Sequence, residues 1–227
     1  MLTAIAIIPS APVLIPDLAG AAADEIADLR EAVFAAAATL PDRWLAVGVD
    51  GADTVVGRDS AGTFAGYGVD VPVGMSPTAA GMDRLPLCAL ITGWLRGLVR
   101  PHARAEVHVF AHDHDADTAA ARGRALRAAV DEPAQPIGAL IVADGAHTLT
   151  PSAPGGHDPA SVAVQAALDD ALGAGDLAAL GRLPASITGR VAWQVLAGLT
   201  EPGPRCAKEL YRGAPYGVGY FAGIWQP

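Results

Sequence analysis

Four short apolar runs are spaced along the chain between longer helical stretches. Each run is rich in Val, Ile or Leu and is followed by Pro, Gly, Asp or His, which is typical of a buried strand that ends at a loop. The predicted strands cover residues 3–8, 44–49, 107–111 and 139–143. Pro9 ends the first strand because a proline cannot continue the hydrogen-bond ladder, so Ser10 is placed at the carboxyl end of a strand.

Helical periodicity fills the stretches between and after these runs. In the first stretch Ile26, Leu29 and Val33 recur at helical spacing, and Asp117 and Asp176 are predicted to cap two later helices. The predicted helices cover residues 21–40, 85–99, 118–130, 160–172, 176–180 and 190–199. Strands that alternate with helices predict an α/β fold, namely a single αβα domain over residues 1–227 with a mostly parallel central sheet.

Three segments depart from this alternation. Residues 51–76 contain repeated glycines and short β-like pieces, which predict an excursion or a hairpin. Residues 148–159, with the sequence TLTPSAPGGHDP, are too rich in Pro and Gly for regular structure and predict a loop. The last segment, LYRGAPYGVGYFAGIW, is aromatic and turned by glycines, so we expect a closing strand or hairpin there.

Composition narrows the class of protein. The net charge is −9 and Lys208 is the only lysine, which argues against a nucleic-acid partner. The hydrophobic fraction of 52% comes mainly from alanine, and no apolar run approaches the ~20 residues that span a bilayer, so no membrane partner is expected. Without a signal-peptide pattern, the expected location is cytoplasmic. Cys88 and Cys206 lack a metal-binding or disulfide spacing. The sequence does not decide whether the chain forms a homo-oligomer.

Polar residues follow each predicted strand. They are Ser10 after the first, Asp50 and Asp53 after the second, His112 to Asp115 (HDHD) after the third, and Asp144 and His147 after the fourth. Because the carboxyl ends of parallel strands share one edge of a sheet, these clusters are expected to meet at one crevice. There we expect His147, Ser10 and Asp50 as catalytic candidates, and Asp144, Asp53, His112, His114 and Tyr216 as ligand-binding candidates.

The HDHD cluster has two interpretations. Two imidazoles two residues apart with two carboxylates would suit a metal ion, whereas the same residues form an ordinary solvated loop before a capped helix. Ser10, His147 and an aspartate could also form a hydrolytic triad, although no nucleophile motif of the GxSxG type occurs. No phosphate-binding or dinucleotide-binding glycine motif is correctly placed.

Taken together, several segments resemble the class III extradiol ring-cleavage dioxygenases, specifically the actinobacterial branch similar to their catalytic B subunit. The segments span nearly the whole chain in order and are AIAIIPSAPVLIPDLAG, GYGVDVPVG, ADGAHTLTPSAPGGHDP followed by ALDDALGAGDLAAL, AWQVLAGL and ELYRGAPYGVGYFAGIW. The resemblance implies an αβα domain and, in active members, a non-haem Fe(II) held by two histidines and a glutamate. Such a site leaves positions open for a catecholate and O₂.

The chain departs from the family pattern at the metal site. Ser10 stands where the first histidine ligand belongs, and no histidine follows the second strand, where the second is expected. Glu209 is the counterpart of the carboxylate ligand, and His147 matches the acid/base histidine of the family. A hydroxyl is a poor neutral ligand for Fe(II), so we expect no bound metal and no cofactor unless His112 or His114 replaces a lost ligand.

Several functions follow from this departure. The first is a catalytically degenerate relative that acts in regulation or binds a small molecule, for which an aromatic compound is the candidate. The second is an active Fe(II) catechol dioxygenase with rearranged ligands. The third is a metal-free hydrolase or lyase that uses His147, and the fourth is an interaction module whose partner covers the crevice. Fold likeness does not decide among them, because function depends on the site.

Overall fold

A seven-stranded sheet forms the centre of the protein, as seen in a computed structural model that describes residues 1–20, 24–132 and 135–227. The sheet has the order β3-β6-β2-β7-β1-β9-β8, in which β6, β2, β7 and β1 run parallel and the outer strands are antiparallel to their neighbours. Its strands are β1 (Leu2–Ile8), β2 (Arg43–Asp50), β3 (Thr54–Val56), β6 (Arg104–Ala111), β7 (Ile137–Val142), β8 (Cys206–Gly213) and β9 (Tyr220–Gln226). The predicted mostly parallel sheet is thus confirmed.

Helices cover both faces of this sheet. One face packs against α2 and α3, and the other packs against α4, α5, α6 and α7, so each face has its own apolar cluster. The helices are α1 (Pro16–Ala19), α2 (Ala27–Ala38), α3 (Leu87–Val99), α4 (Ala116–Asp131), α5 (Ala160–Ala174), α6 (Leu177–Leu180) and α7 (Arg190–Thr200). The two clusters share one sheet, which is consistent with a single αβα domain.

The helix boundaries correct the sequence prediction at two places. The first predicted helix, over 21–40, is shorter and runs Ala27–Ala38, and its first three predicted residues lie outside the described part of the chain. The predicted cap Asp117 is wrong, because Asp115 caps α4 by accepting a hydrogen bond from the Thr118 N–H at 2.7 Å. The Asp115 backbone is extended, as an N-cap requires, whereas Asp117 lies in the first turn. Asp176 caps α6 as predicted.

The irregular segments form as their glycines and prolines predict. The excursion after β2 contributes the edge strand β3 and then a small hairpin of β4 (Ala61–Thr63) and β5 (Pro72–Gly74), joined by a 3-10 helix over Phe64–Tyr67. The final segment forms the antiparallel pair of β8 and β9 at one edge of the sheet. Among the described residues no helix is long and apolar enough to cross a membrane.

Candidate functional site

A crevice opens at the carboxyl ends of β1, β2 and β7, with a volume of about 490 Å³. We call it the strand-end crevice. Its polar lining residues are Ser10, Asp50, Tyr67, His112, Asp144 and Thr188, and its apolar lining includes Val49, Leu87 and Val142. Open α/β sheets bind ligands at this edge, and the volume falls in the range of small-molecule sites. The structure therefore brings four predicted site residues together: Ser10, Asp50, His112 and Asp144.

Ser10 and Asp144 meet because β1 and β7 are parallel neighbours. Ile8 pairs with Val142, so the residues two positions beyond each strand lie side by side. The Ser10 backbone N–H donates to Oδ1 of Asp144 at 2.8 Å. Burial raises the pKa of Asp144 to about 7, although that N–H acts in the opposite direction. Asp144 keeps a partial exposure toward the crevice, so this carboxyl group can change its protonation state near neutral pH.

Asp50 and His112 come from the neighbouring pair of parallel strands. Asp50 is the last residue of β2, and its carbonyl oxygen accepts a hydrogen bond from the His112 N–H at 3.1 Å. The Nδ1 atom of His112 lies 3.2 Å from the same carbonyl oxygen. The Asp50 side chain is exposed, and its Oδ1 accepts from the Gly51 N–H at 2.7 Å. Backbone contacts thus fix both residues, while the Asp50 carboxylate faces the crevice.

His147 lies beside the crevice and reaches it through Thr188. The imidazole is exposed and does not belong to the lining, but its Nδ1 lies 3.0 Å from Oγ1 of Thr188, which does. The buried Gln165 holds this loop by accepting a hydrogen bond from the Ala146 N–H at 2.8 Å. The sequence predicts that His147 shares the crevice with Ser10, whereas the structure places the imidazole beside it. Among the hydrogen bonds of the described residues, none joins the side chains of Ser10 and His147, so the predicted triad is not formed.

Asp53 and His114 lie outside the strand-end crevice, contrary to the expectation that they contact a ligand there. His114 Nε2 is 2.7 Å from Oδ1 of Asp53, which also accepts the Ala111 N–H at 2.8 Å. These hydrogen bonds, chiefly that of Ala111, hold the pKa of Asp53 below its ordinary value. Arg190, at the start of α7, donates to the carbonyl oxygen of His114 at 2.8 Å. The second half of the HDHD cluster therefore fastens β6 to its neighbours.

Tyr216 and Glu209 are also placed away from the strand-end crevice. Tyr216 lines an adjoining cavity, and its hydroxyl donates to Oε2 of Glu25 at 3.2 Å. Glu209 lies on the edge strand β8, two strands from β1, where Arg212 Nε donates to both carboxylate oxygens at 2.8 and 2.9 Å. Glu209, which the resemblance would make the carboxylate ligand, is thus held in an ion pair with Arg212 at the edge of the sheet.

The donor set does not fit the Fe(II) site that the resemblance implies. Where the resemblance implies two imidazoles, the chain has the hydroxyl of Ser10 and the carboxylate of Asp50, and Glu209 does not line the crevice. Among the described residues there is no group of three or more His, Cys, Asp or Glu side chains arranged to hold a metal ion. His112 contributes an imidazole to the lining, but His114 is bound to Asp53 outside it.

Two polar lining residues were not predicted from the sequence. Tyr67 comes from the 3-10 helix of the glycine-rich excursion, and an aromatic residue within the segment GTFAGYG was the signal that could have indicated it. Thr188 comes from the irregular segment before α7, and its distance of 41 residues from His147 gives no local signal. Tertiary contact alone brings these two residues to the strand ends.

Comparison with known proteins supports the fold and leaves the function open. No protein-family model matches the chain, and no curated protein matches it. Among solved structures, the chain is similar to an uncharacterized protein, JW3007, from Escherichia coli K12, with a TM-score of 0.58 and 11% sequence identity. The match covers 98% of this chain and 99% of that one. At this identity the similarity establishes a shared fold over the full length and nothing about the activity.

Proposed function

We propose that the protein binds a small aromatic molecule in the strand-end crevice and is a catalytically degenerate relative of the class III extradiol dioxygenases. The observation that carries this proposal is the lining of the crevice. It combines apolar walls and one exposed tyrosine with two carboxyl groups, Asp50 and Asp144, and contains no Lys or Arg among the described residues. An apolar pocket with a few convergent polar groups is the usual form of a small-molecule site.

The lining also selects the charge of the ligand. Asp50 is a hydrogen-bond acceptor, and Asp144 accepts hydrogen bonds in either protonation state. An aromatic carboxylate would bring a further negative group beside the exposed Asp50 carboxylate, with no lysine or arginine among the lining residues to balance it, and like charges there cost affinity. A ligand that carries an ammonium or a hydroxyl donor would instead gain charge-assisted hydrogen bonds. The proposal therefore names a neutral or cationic aromatic molecule with hydrogen-bond donors.

Iron-dependent ring cleavage is the alternative that this proposal replaces. It would require His112 and two further ligands from a crevice whose other polar groups are hydroxyls and carboxyls. Imidazole is the neutral ligand that suits Fe(II) facial sites, and a serine or threonine hydroxyl does not replace it. The unpaired thiols of Cys88 and Cys206 suit a reducing compartment, so the proposal places the protein in the cytoplasm.

Titration with three matched probes tests the proposal. We expect benzylamine and benzyl alcohol to bind the protein with a one-to-one stoichiometry in calorimetry, and benzoate to bind at least about tenfold more weakly than benzylamine. Asp50→Asn should weaken benzylamine binding by about fivefold, since it removes one exposed charge. The matched control is Asp59→Asn, an exposed aspartate that does not line the crevice. Equal affinity for benzylamine and benzoate would contradict the proposal.

The contact between Thr188 and His147 favours a second candidate, a metal-free hydrolase. A hydroxyl that lines the crevice and lies 3.0 Å from an imidazole nitrogen has the geometry of a nucleophile with its base. In this reaction the Thr188 oxygen would attack an ester carbonyl while His147 took the hydroxyl proton. The ester C–O bond would then break as His147 returned that proton to the leaving alcohol, and water deprotonated by His147 would release the acid from Thr188. Hydrolysis of p-nitrophenyl acetate that is lost in both Thr188→Ala and His147→Ala, and retained in Ser10→Ala, would establish this candidate. Turnover equal to that of the buffer would exclude it.

A further inference from the structure

A second cavity adjoins the strand-end crevice and shares a wall with it. This cavity has a volume of about 410 Å³, and we call it the tyrosine chamber after Tyr67, Tyr216 and Tyr220, which line it. Tyr67 lines both cavities, so its ring stands at the boundary between them. The remaining walls come from the segment after β1, including Val13 and Leu18, and from Pro154 and Val218. The two cavities therefore adjoin at one aromatic side chain, that of Tyr67.

The three tyrosines are positioned by neighbouring groups. The ring of the fully buried Phe64 meets Tyr67 edge-on, with centroids 6.1 Å apart, and fixes the 3-10 helix that carries it. Tyr216 is held through its hydroxyl by Glu25. Tyr220 is buried at the start of β9, where burial and then the charge of Asp144 raise its pKa. The Gly145 N–H donates to the carbonyl oxygen of Gly219 at 2.8 Å, so the segments that carry Asp144 and Tyr220 lie side by side.

The two cavities differ in the charge of their linings. The strand-end crevice contains two carboxyl groups, whereas no charged side chain lines the tyrosine chamber among the described residues. Tyr67 is 44% exposed although aromatic side chains of this size are usually covered, so a bound ring would remove apolar surface from water. A ligand confined to the crevice would leave this surface uncovered.

We propose that the ligand is an elongated amine with two apolar parts, whose ammonium head lies near Asp50 and Asp144 and whose distal ring lies beside Tyr67 in the tyrosine chamber. This inference rests on the proposed function, because it places the head of the ligand in the same crevice. It adds the class of ligand, an aryl-substituted benzylic amine, and it assigns to Tyr67 the selection of long ligands over short ones. No part of it requires a metal ion.

A pair of amines of different length tests the inference. Benzylamine fills the head position alone, and 4-phenylbenzylamine adds one distal ring on the same axis. Burying that ring should tighten binding by about tenfold or more in calorimetric titration of the full chain. Ala19→Trp places an indole inside the tyrosine chamber, which Ala19 lines, and should reduce the ratio of the two affinities to about one. Thermal unfolding checks that the variant is folded.

Tyr67 supplies the second pair of variants. Tyr67→Ala should reduce the same ratio to about threefold or less, and Tyr67→Phe, which keeps the ring, should retain it. Equal affinities of the two amines for the wild type, or a ratio unchanged in both Ala19→Trp and Tyr67→Ala, would overturn the tyrosine chamber as a site while leaving the crevice intact. If neither amine binds the wild type, the proposed function itself fails, and this inference fails with it.

Discussion

Replacing Asp144 by Asn should change how the stability of the protein depends on pH. The carboxyl group accepts the Ser10 N–H at 2.8 Å, and the amide oxygen of Asn can accept the same hydrogen bond. Burial raises the pKa of Asp144 from its ordinary value of 3.8 to about 7, which corresponds to about 4 kcal/mol of differential stability. The partial exposure of Asp144 toward the crevice reduces this, so we expect about 2 to 4 kcal/mol.

The sign follows from the raised pKa. Below about pH 4 the group is protonated in both the folded and the unfolded protein, and its contribution to stability is fully present. As the pH rises toward 7, the unfolded chain ionises while the folded protein resists ionisation, and this stability is lost. Relative to Asp144→Asn, the wild type should therefore be more stable at pH 4.5 than at pH 8.

Urea unfolding followed by tryptophan fluorescence at the two pH values measures this difference. The change in unfolding free energy between pH 4.5 and pH 8 is compared for the wild type, Asp144→Asn and the control Asp59→Asn. Subtraction removes the other titrating groups, among them Asp169, whose pKa burial also raises, to about 6. The control should follow the wild type. A pH dependence for Asp144→Asn that matches the wild type within about 0.5 kcal/mol would refute the raised pKa of Asp144.

Four further substitutions test the packing and the role of Glu209. Gly123→Ala should destabilise the protein by about 1–3 kcal/mol in urea unfolding, since its Cβ would lie 2.1 Å from a backbone oxygen of α7. Gly97→Ala, whose Cβ would have no atom within 4 Å, should instead stabilise the protein by about 0.5–1 kcal/mol. Gln165→Leu should cost about 1–3 kcal/mol by leaving the buried Ala146 N–H without its acceptor; an unchanged midpoint would contradict this. Glu209→Gln should cost less than about 1 kcal/mol and leave benzylamine affinity unchanged, because its ion pair is partly exposed at the sheet edge.

The sheet could be predicted from the sequence because its strands are compact apolar runs. Each of the four predicted strands lies within or within one residue of an observed strand, and the helices between them follow from their spacing. Boundaries were less certain where two residues could serve one role. Asp115 and Asp117 are both good caps by type, and only the extended backbone of Asp115 distinguishes them. The antiparallel edge strand β3 has three residues, too few for a periodic signal.

The site was predictable only where a strand leads directly into it. Ser10, Asp50 and Asp144 follow β1, β2 and β7, so the parallel register itself brings them to one crevice. Tyr67 and Thr188 arrive from irregular segments whose paths depend on tertiary packing. Asp53 and His114 have the right residue types, but a side-chain hydrogen bond of 2.7 Å pairs them outside the crevice. Sequence spacing does not distinguish a ligand-binding carboxylate from one that is already paired.

Titration of metal-free protein with benzylamine tests whether the crevice binds an aromatic molecule without a metal ion. The protein is purified, treated with a chelator and titrated by calorimetry, and the titration is repeated after anaerobic addition of Fe(II). We expect one-to-one binding of equal affinity in both samples, weakened in Asp50→Asn, with no consumption of O₂ when a simple catechol is added. Binding that appears only after Fe(II) is added, together with catechol-dependent consumption of O₂, would contradict it.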